Sequence, residues 1–216
     1  MSTALTRLVV VGAGGHGREL LNVIDAMNGV NPIFDVVGVV NEGGDPGDIL
    51  ARRGIPFLGG HEALSTVAAD AYALGLGSPD ARRNVDLLAS GAGLACVSLI
   101  HPTALLGSDL RLGPGFVAAA YTQVTTNVSA GRHVHLNIAA TVSHDCELGD
   151  YVTLSPGCHV SGNVRLRAGV TIGVGAVVKQ GVDIGEGTFV GAGAVVVSDL
   201  PPGVTAVGVP ARPLER

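Results

Sequence analysis

One aliphatic column constrains the second half of this 216-residue chain more than anything else in it. Stepping by six from Ile100 gives Ile100, Leu106, Leu112, Ala118, Val124, Ala130, Leu136, Val142, Leu148, Leu154, Val160, Leu166, Ile172, Val178, Ile184, Val190 and Val196, all aliphatic. With 47% of residues apolar, chance yields such a row roughly once in 10⁵ tries even over six phases, so the row is an internal repeat. A period of six is neither the 3.6 of a helix nor the alternation of a flat strand. It fits a three-sided parallel β-helix, in which each hexad supplies one short strand and one corner and three hexads make a coil. Gly, Asn and Asp recur at the corners, where tight turns need unusual φ.

The fourth residue after each aliphatic is again small or apolar at many positions, among them Cys146, Val152, Cys158, Val164 and Ala176. Cys146 and Cys158 are therefore expected inside the prism. Together with Cys96 they read as reduced, buried thiols without C-x-x-C spacing, which suits a reducing compartment. The repeat resembles that of the left-handed hexapeptide-repeat acyltransferases. The resemblance implies the handedness, a homotrimer, and an acyl-CoA lying in a groove between neighbouring prisms. No loop interrupts the register from 100 to 200, so an active site has to be built from the corners.

The front of the chain alternates differently. Strand RLVVVG leads to a helix from about Gly17 to Met27, followed by strand DVVGVV, a short IPFLGG, helix HEALSTV, strand AYALGLG, helix PDARRNVDLLAS and strand ACVSLI. Such alternation predicts a small parallel sheet with helices, half of a dinucleotide-binding fold. Ser78 before Pro79 makes a good helix start. Boundaries are expected at 1–98 for this α/β domain, 99–197 for the β-helix and 198–216 for a tail in which Pro201 and Pro202 break the repeat.

Gly12, Gly14 and Gly17 fit G-x-G-x-x-G between a strand and a helix, where backbone N–H groups near Gly14, Gly15 and His16 can hold phosphate oxygens. Asn41 and Glu42 follow the second strand, at the place of a ribose-binding acid. A dehydrogenase needs a second mononucleotide half and a catalytic domain, and only about 90 residues precede the repeat, so a single nucleotide or nucleotide sugar fits better than NAD.

Taken together, VVGAGGHGRE, VVNEGG, ALGLGSPDARR, VSHDCELGD and the closing VGVPARPL resemble one subfamily over nearly the whole chain. It comprises the nucleotide-amino-sugar N-acetyltransferases and the sialic-acid O-acetyltransferases. The resemblance implies a front domain that holds the nucleotide sugar through Gly14, Gly15, His16, Asn41, Glu42 and Gly77. It implies a general base at His144 with Asp145 as its acidic companion, and acetyl-CoA contacts at Thr153, Gly162, Val174 and Ala192. Asn41 and Glu42 stand where relatives often carry paired aspartates, and Thr153 stands where close relatives have histidine. Gly162, one coil beyond His144, would leave room for a pantetheine arm.

Three activities compete: N-acetylation of a UDP- or GDP-linked amino sugar, 4-amino-4,6-dideoxy as in GDP-perosamine; O-acetylation of a sialic-acid-like sugar; and nucleotide-sugar binding without catalysis. Acetyl-CoA is the expected co-substrate. No metal is expected, because His133, His135 and His144 lack the wide-then-narrow histidine spacing of the prism-shaped γ-class carbonic anhydrases. His133 is assigned to a corner, and His135 and His159 to outward positions, with no role. A formal charge of -5 with 13 Lys plus Arg leaves no basic stripe for nucleic acid. No apolar run reaches about 18 residues, so membrane insertion is not expected, and without a signal-like start the cytoplasm is the expected location.

Overall fold

The computed structural model describes residues 4–214 and parts into two compact units after Leu99.

The front unit is a four-stranded parallel sheet in the order β2-β1-β3-β4, made of β1 (Thr6–Val11), β2 (Phe34–Val40), β3 (Ala71–Leu74) and β4 (Ala95–Cys96). The segments Leu8–Val11 and Ala71–Leu74 are continuous apolar runs and are buried throughout, as parallel strands covered on both faces must be. The helices are α1 (Gly15–Val30), a short α2 (Asp48–Ala51) and α3 (Pro79–Gly91). The cap of α3 forms as expected, Ser78 Oγ accepting the Ala81 N–H at 3.3 Å ahead of Pro79.

Two expected elements are weaker than their sequence suggests. Residues 61–65 form a 3-10 turn instead of an α-helix, and the IPFLGG stretch contributes only a single bridge between Phe57 and Val39. Both lie in a segment interrupted by Gly54, Gly59 and Gly60, too short to nucleate regular structure.

Glycine has a steric reason at the first turn. A Cβ on Gly17 would lie 1.9 Å from the Gly12 carbonyl oxygen, and one on Gly75 would lie 2.3 Å from the Gly17 Cα. The start of α1 therefore packs backbone on backbone against the ends of β1 and β3. Gly14 and Gly15 differ, since a Cβ at either meets nothing within 4 Å. The glycines of the motif thus divide into those that pack and those that face open space.

The second unit is the three-sided parallel β-helix. Each strand pairs with the one 18 residues later, as in Thr153↔Thr171 and Leu154↔Ile172 on one face and Thr141↔His159 and Val142↔Val160 on the next. The column from Val124 to Val196 is buried and packs with Cys146, Val152, Cys158, Val164 and Ala176 into one core.

Every hexad from residue 109 to residue 193 carries a left-handed residue at the same corner position, with φ between 50° and 79°. The amide of that residue turns to the carbonyl 19 residues earlier; the Asp145 N–H thus meets Thr126 O at 3.2 Å and the Asn163 N–H meets His144 O at 2.9 Å. The ladder so continues around each edge. Glycine is the natural occupant, yet Tyr121, Asn127, His133, Ala139, Asp145, Tyr151 and Asn163 occupy it too, at roughly 1–2 kcal/mol each for a side chain without local polar support.

The tail does not simply break the repeat. Leu200 bridges Ile184, and Thr205 and Ala206 pair with Phe189 and Val190, a step of 16 instead of 18. The chain then turns back as an antiparallel pair, Thr205–Gly208 with Ala211–Pro213, which covers the last rung of the ladder.

Three side chains depart from expectation. Cys96 is partly exposed, while Cys146 and Cys158 are buried. His133 does occupy a corner, with φ 50°, but it and His135, assigned to an outward position, are both buried. The left-handed backbone at His133 and Tyr151 stacks their rings, with centroids 5.9 Å apart.

Candidate active site

Of the seven histidines, His144 has the setting of a working base. It sits on the prism edge between the strands Thr141–Val142 and Glu147–Leu148, with its side chain half exposed. Its Nδ1 lies 2.7 Å from Asp145 Oδ2. Asp145 is itself in the left-handed conformation, φ 61°, which carries its carboxylate back alongside the neighbouring ring. The other carboxylate oxygen, Oδ1, accepts the Asn127 Nδ2 amide from one coil earlier at 2.7 Å.

The Asn127 hydrogen bond, and after it that of His144, holds the Asp145 carboxyl below the usual carboxylate range. An ionised Asp145 can only accept, so Nδ1 is the donor of the pair and neutral His144 keeps its lone pair on Nε2.

Beneath the ring lies Gly162, one coil on. A Cβ there would stand 2.5 Å from His144 Cε1 and 2.7 Å from Nε2. The imidazole therefore leans over the space that this glycine leaves. Cys146 lies two residues beyond His144, but its thiol points into the prism and donates to Ser161 O at 3.1 Å. Burial raises the Cys146 thiol and pushes that of Cys158 up to about 12. Neither is a thiolate near neutrality.

The predicted coenzyme residues divide between edges. Gly162 shares the His144 edge, whereas Val174 and Ala192 stack on the edge reached one strand earlier in each coil, where the Gly193 N–H meets Val174 O at 2.8 Å. Thr153 lies on the flat of a third stretch, between His135 and Thr171. Val174 is exposed and Thr153 half-buried.

The front unit holds a cleft of about 390 Å³ at the carboxyl ends of its strands, lined by Gly12, Asn41, Glu42, His61, Leu76, Ala81, Asn84 and Leu88 among others. Such a crevice is the usual ligand position in a parallel α/β sheet. Of the six residues expected to hold substrate, Asn41 and Glu42 line it. The Asn41 carboxamide is already engaged, accepting from the Ala13 N–H at 3.2 Å and donating to Gly44 O at 2.7 Å. It shapes the cleft more than it offers a contact. Glu42 Oε2 accepts the His61 N–H at 3.0 Å and remains exposed.

Gly14 and Gly15 open to solvent at the start of α1. The cationic form of His16 beside them is disfavoured: burial lowers its pKa first and the Arg82 charge second, against the opposing pull of Glu19. Gly77 contributes its carbonyl, which with that of Leu76 accepts the Arg82 guanidinium at 3.1 and 2.9 Å.

Arg82 and His61 were not singled out from sequence. Arg82 is fully buried and falls on the same helix stripe as Val85 and Ala89, so an arginine on an apolar stripe was the available signal. His61 reaches the cleft only through the 3-10 turn, which periodicity does not reveal. Among the described residues no three or more His, Cys, Asp or Glu side chains are grouped to hold a metal, and no helix is long and apolar enough to cross a membrane.

A triangular β-helix with an acid-supported histidine on its edge, joined to a small nucleotide-type sheet, defines the sugar-acetylating class of hexapeptide-repeat proteins. The family described as PglD N-terminal domain matches residues 7–85. GDP-perosamine N-acetyltransferase of Escherichia coli O157:H7 is 31% identical over 150 residues, 66% of this chain and 64% of that one, so the match spans just under two thirds of the relative's length.

Among solved structures, PerB from Caulobacter crescentus in complex with CoA and GDP-perosamine is 32% identical over the full length of both chains, with a TM-score of 0.89. The acetyltransferase domain of PglB from Neisseria gonorrhoeae FA1090, in complex with acetyl coenzyme A, is 32% identical over 98% of this chain and all of that one, with a TM-score of 0.83. The chain belongs to the nucleotide-amino-sugar N-acetyltransferase family of left-handed β-helix proteins.

Proposed function

We propose that this protein transfers the acetyl group of acetyl-CoA to the amine of a nucleotide-linked amino sugar, with His144 as the general base. The observation that carries the reading is the half-exposed His144 whose Nδ1 is held 2.7 Å from Asp145, in a chain that matches a perosamine N-acetyltransferase over its whole length. Two further structures of the Caulobacter enzyme, in which one histidine is replaced by Asn or by Ala, also hold CoA and GDP-perosamine.

A sugar amine must shed a proton to attack a thioester carbonyl. Nε2 of His144 accepts that proton as the C–N bond forms, and Asp145 stabilises the resulting imidazolium. Collapse of the tetrahedral intermediate breaks the C–S bond and expels the CoA thiolate, which takes a proton back from His144. Buried Cys146 and Cys158 support direct transfer without an acyl-enzyme.

The substrate proposed is a GDP- or UDP-linked 4-amino-4,6-dideoxy sugar, seated at the cleft by Glu42 with its diphosphate near Gly14 and Gly15 and the α1 N-terminus. Thr153, Gly162, Val174 and Ala192 are proposed to meet acetyl-CoA. Their spread over separate parts of the prism favours a groove between two copies, hence a homotrimer. Reduced thiols at all three cysteines suit the cytoplasm. The test is incubation with acetyl-CoA and GDP-perosamine: thiol release with an acetylated sugar in the mass spectrum supports the reading, and thiol release only with a sialic acid overturns it.

A further inference from the structure

The chemistry above engages His144 and Asp145 and leaves out the side chain that steadies Asp145. Asn127 lies one coil earlier on the same edge, φ 52°. Its amide N–H meets Ser108 O at 3.2 Å just as that of Asp145 meets Thr126 O, also at 3.2 Å, so the two residues repeat one corner geometry and their side chains stack in register. Asn127 Nδ2 donates to Asp145 Oδ1 at 2.7 Å, and Asp145 Oδ2 meets His144 Nδ1 at 2.7 Å.

We propose that Asn127 is a positioning residue for acetyl transfer: by occupying one carboxylate oxygen it fixes the other at Nδ1 of His144 and thereby sets the imidazole tautomer and the direction of Nε2. The proposal rests on the reading of His144 as the base.

The carboxamide is not needed by the turn. The same edge carries Gly181 two coils beyond Asp145, in the same left-handed conformation, and glycine adopts it without penalty. An exposed carboxylate with only one partner is free to rotate between its two oxygens in water. Two partners, the Asn127 amide from the coil before and the His144 ring on its own coil, one per oxygen, leave it a single orientation.

Two variants separate donation from packing. Asn127→Asp keeps shape and tolerance of the left-handed backbone but sets a second acceptor against Asp145. Asn127→Gly keeps the backbone and removes the donor. In steady-state acetylation with acetyl-CoA and GDP-perosamine, kcat falls about 10-fold or more in both, with the Asp variant the lower. KM for each substrate and the thermal midpoint of the Gly variant stay close to wild type.

Wild-type kcat in either variant, or a loss confined to KM, overturns the role of Asn127. His144→Ala is run beside them. If it loses turnover while Asn127→Asp keeps it, Asn127 alone is wrongly assigned; if it too keeps turnover, the base assignment falls and this inference with it.

Discussion

The imidazole of His144 rests on the backbone of Gly162, with ring atom Cε1 only 2.5 Å from where a β-carbon at Gly162 would stand. Gly162 has an ordinary φ, absent from the left-handed series, so its backbone accepts alanine. Gly162→Ala is therefore expected to leave the fold standing and push the ring aside. On the order of 10²-fold in kcat is expected to be lost for a displacement near 1 Å, with the circular dichroism melt unchanged. Wild-type kcat in this variant would show that the ring position does not matter.

The first-turn glycines predict opposite outcomes at nearby sites. Gly17→Ala forces a methyl to within 1.9 Å of a backbone oxygen that cannot move away easily, beyond the ordinary overpacking cost of roughly 1–3 kcal/mol. Gly15→Ala meets open space at the start of a helix, where alanine is favoured. Denaturant unfolding should show the Gly17 variant strongly destabilised and the Gly15 variant no less stable than wild type.

Leu154 is fully buried in the aliphatic column. Leu154→Ala should cost roughly 2–5 kcal/mol by deleting side chain from a packed core, seen as a lower denaturant midpoint. An unchanged midpoint would mean that the column does not bear the stability of the prism.

His16 supplies a pH dependence with a definite sign. Its folded pKa lies below the ordinary histidine value of about 6.5 because burial and Arg82 disfavour the cation. The unfolded chain therefore binds the proton more readily. The neutral ring costs nothing above the unfolded value, and stability is lost as pH falls below 6.5 until the folded form also protonates. His16→Gln should flatten that loss. The measurement is the difference in unfolding free energy between variant and wild type at pH 7.5 and pH 5; no narrowing at the lower pH would contradict the buried placement.

Periodicity revealed the prism because a repeated inward position leaves its mark in every hexad, and Ser78–Pro79 announced α3 through local chemistry. The VSHD corner was legible for the same reason, since register alone puts His144 and Asp145 on an edge. Register could not say that Asp145 adopts φ 61° and bends back to its own neighbour, or that Asn127 reaches it from the previous coil. Those depend on a left-handed corner shared by glycine and non-glycine residues alike. Nor does sequence show that the side chain leaning over Gly162 is that of His144. The burial of Arg82, His133 and His135 escaped for a related reason: each is a polar residue whose surroundings come from distant chain, and His133 stacks on Tyr151 a full coil away.

The central claim is that His144 removes the proton from the attacking amine. Its most direct test is single-turnover acetylation of GDP-perosamine by His144→Ala with acetyl-CoA saturating, alongside CoA binding by calorimetry. The account predicts a chemical step slowed by about 10² to 10⁴-fold with coenzyme affinity retained. A chemical step as fast as that of the wild type would contradict it.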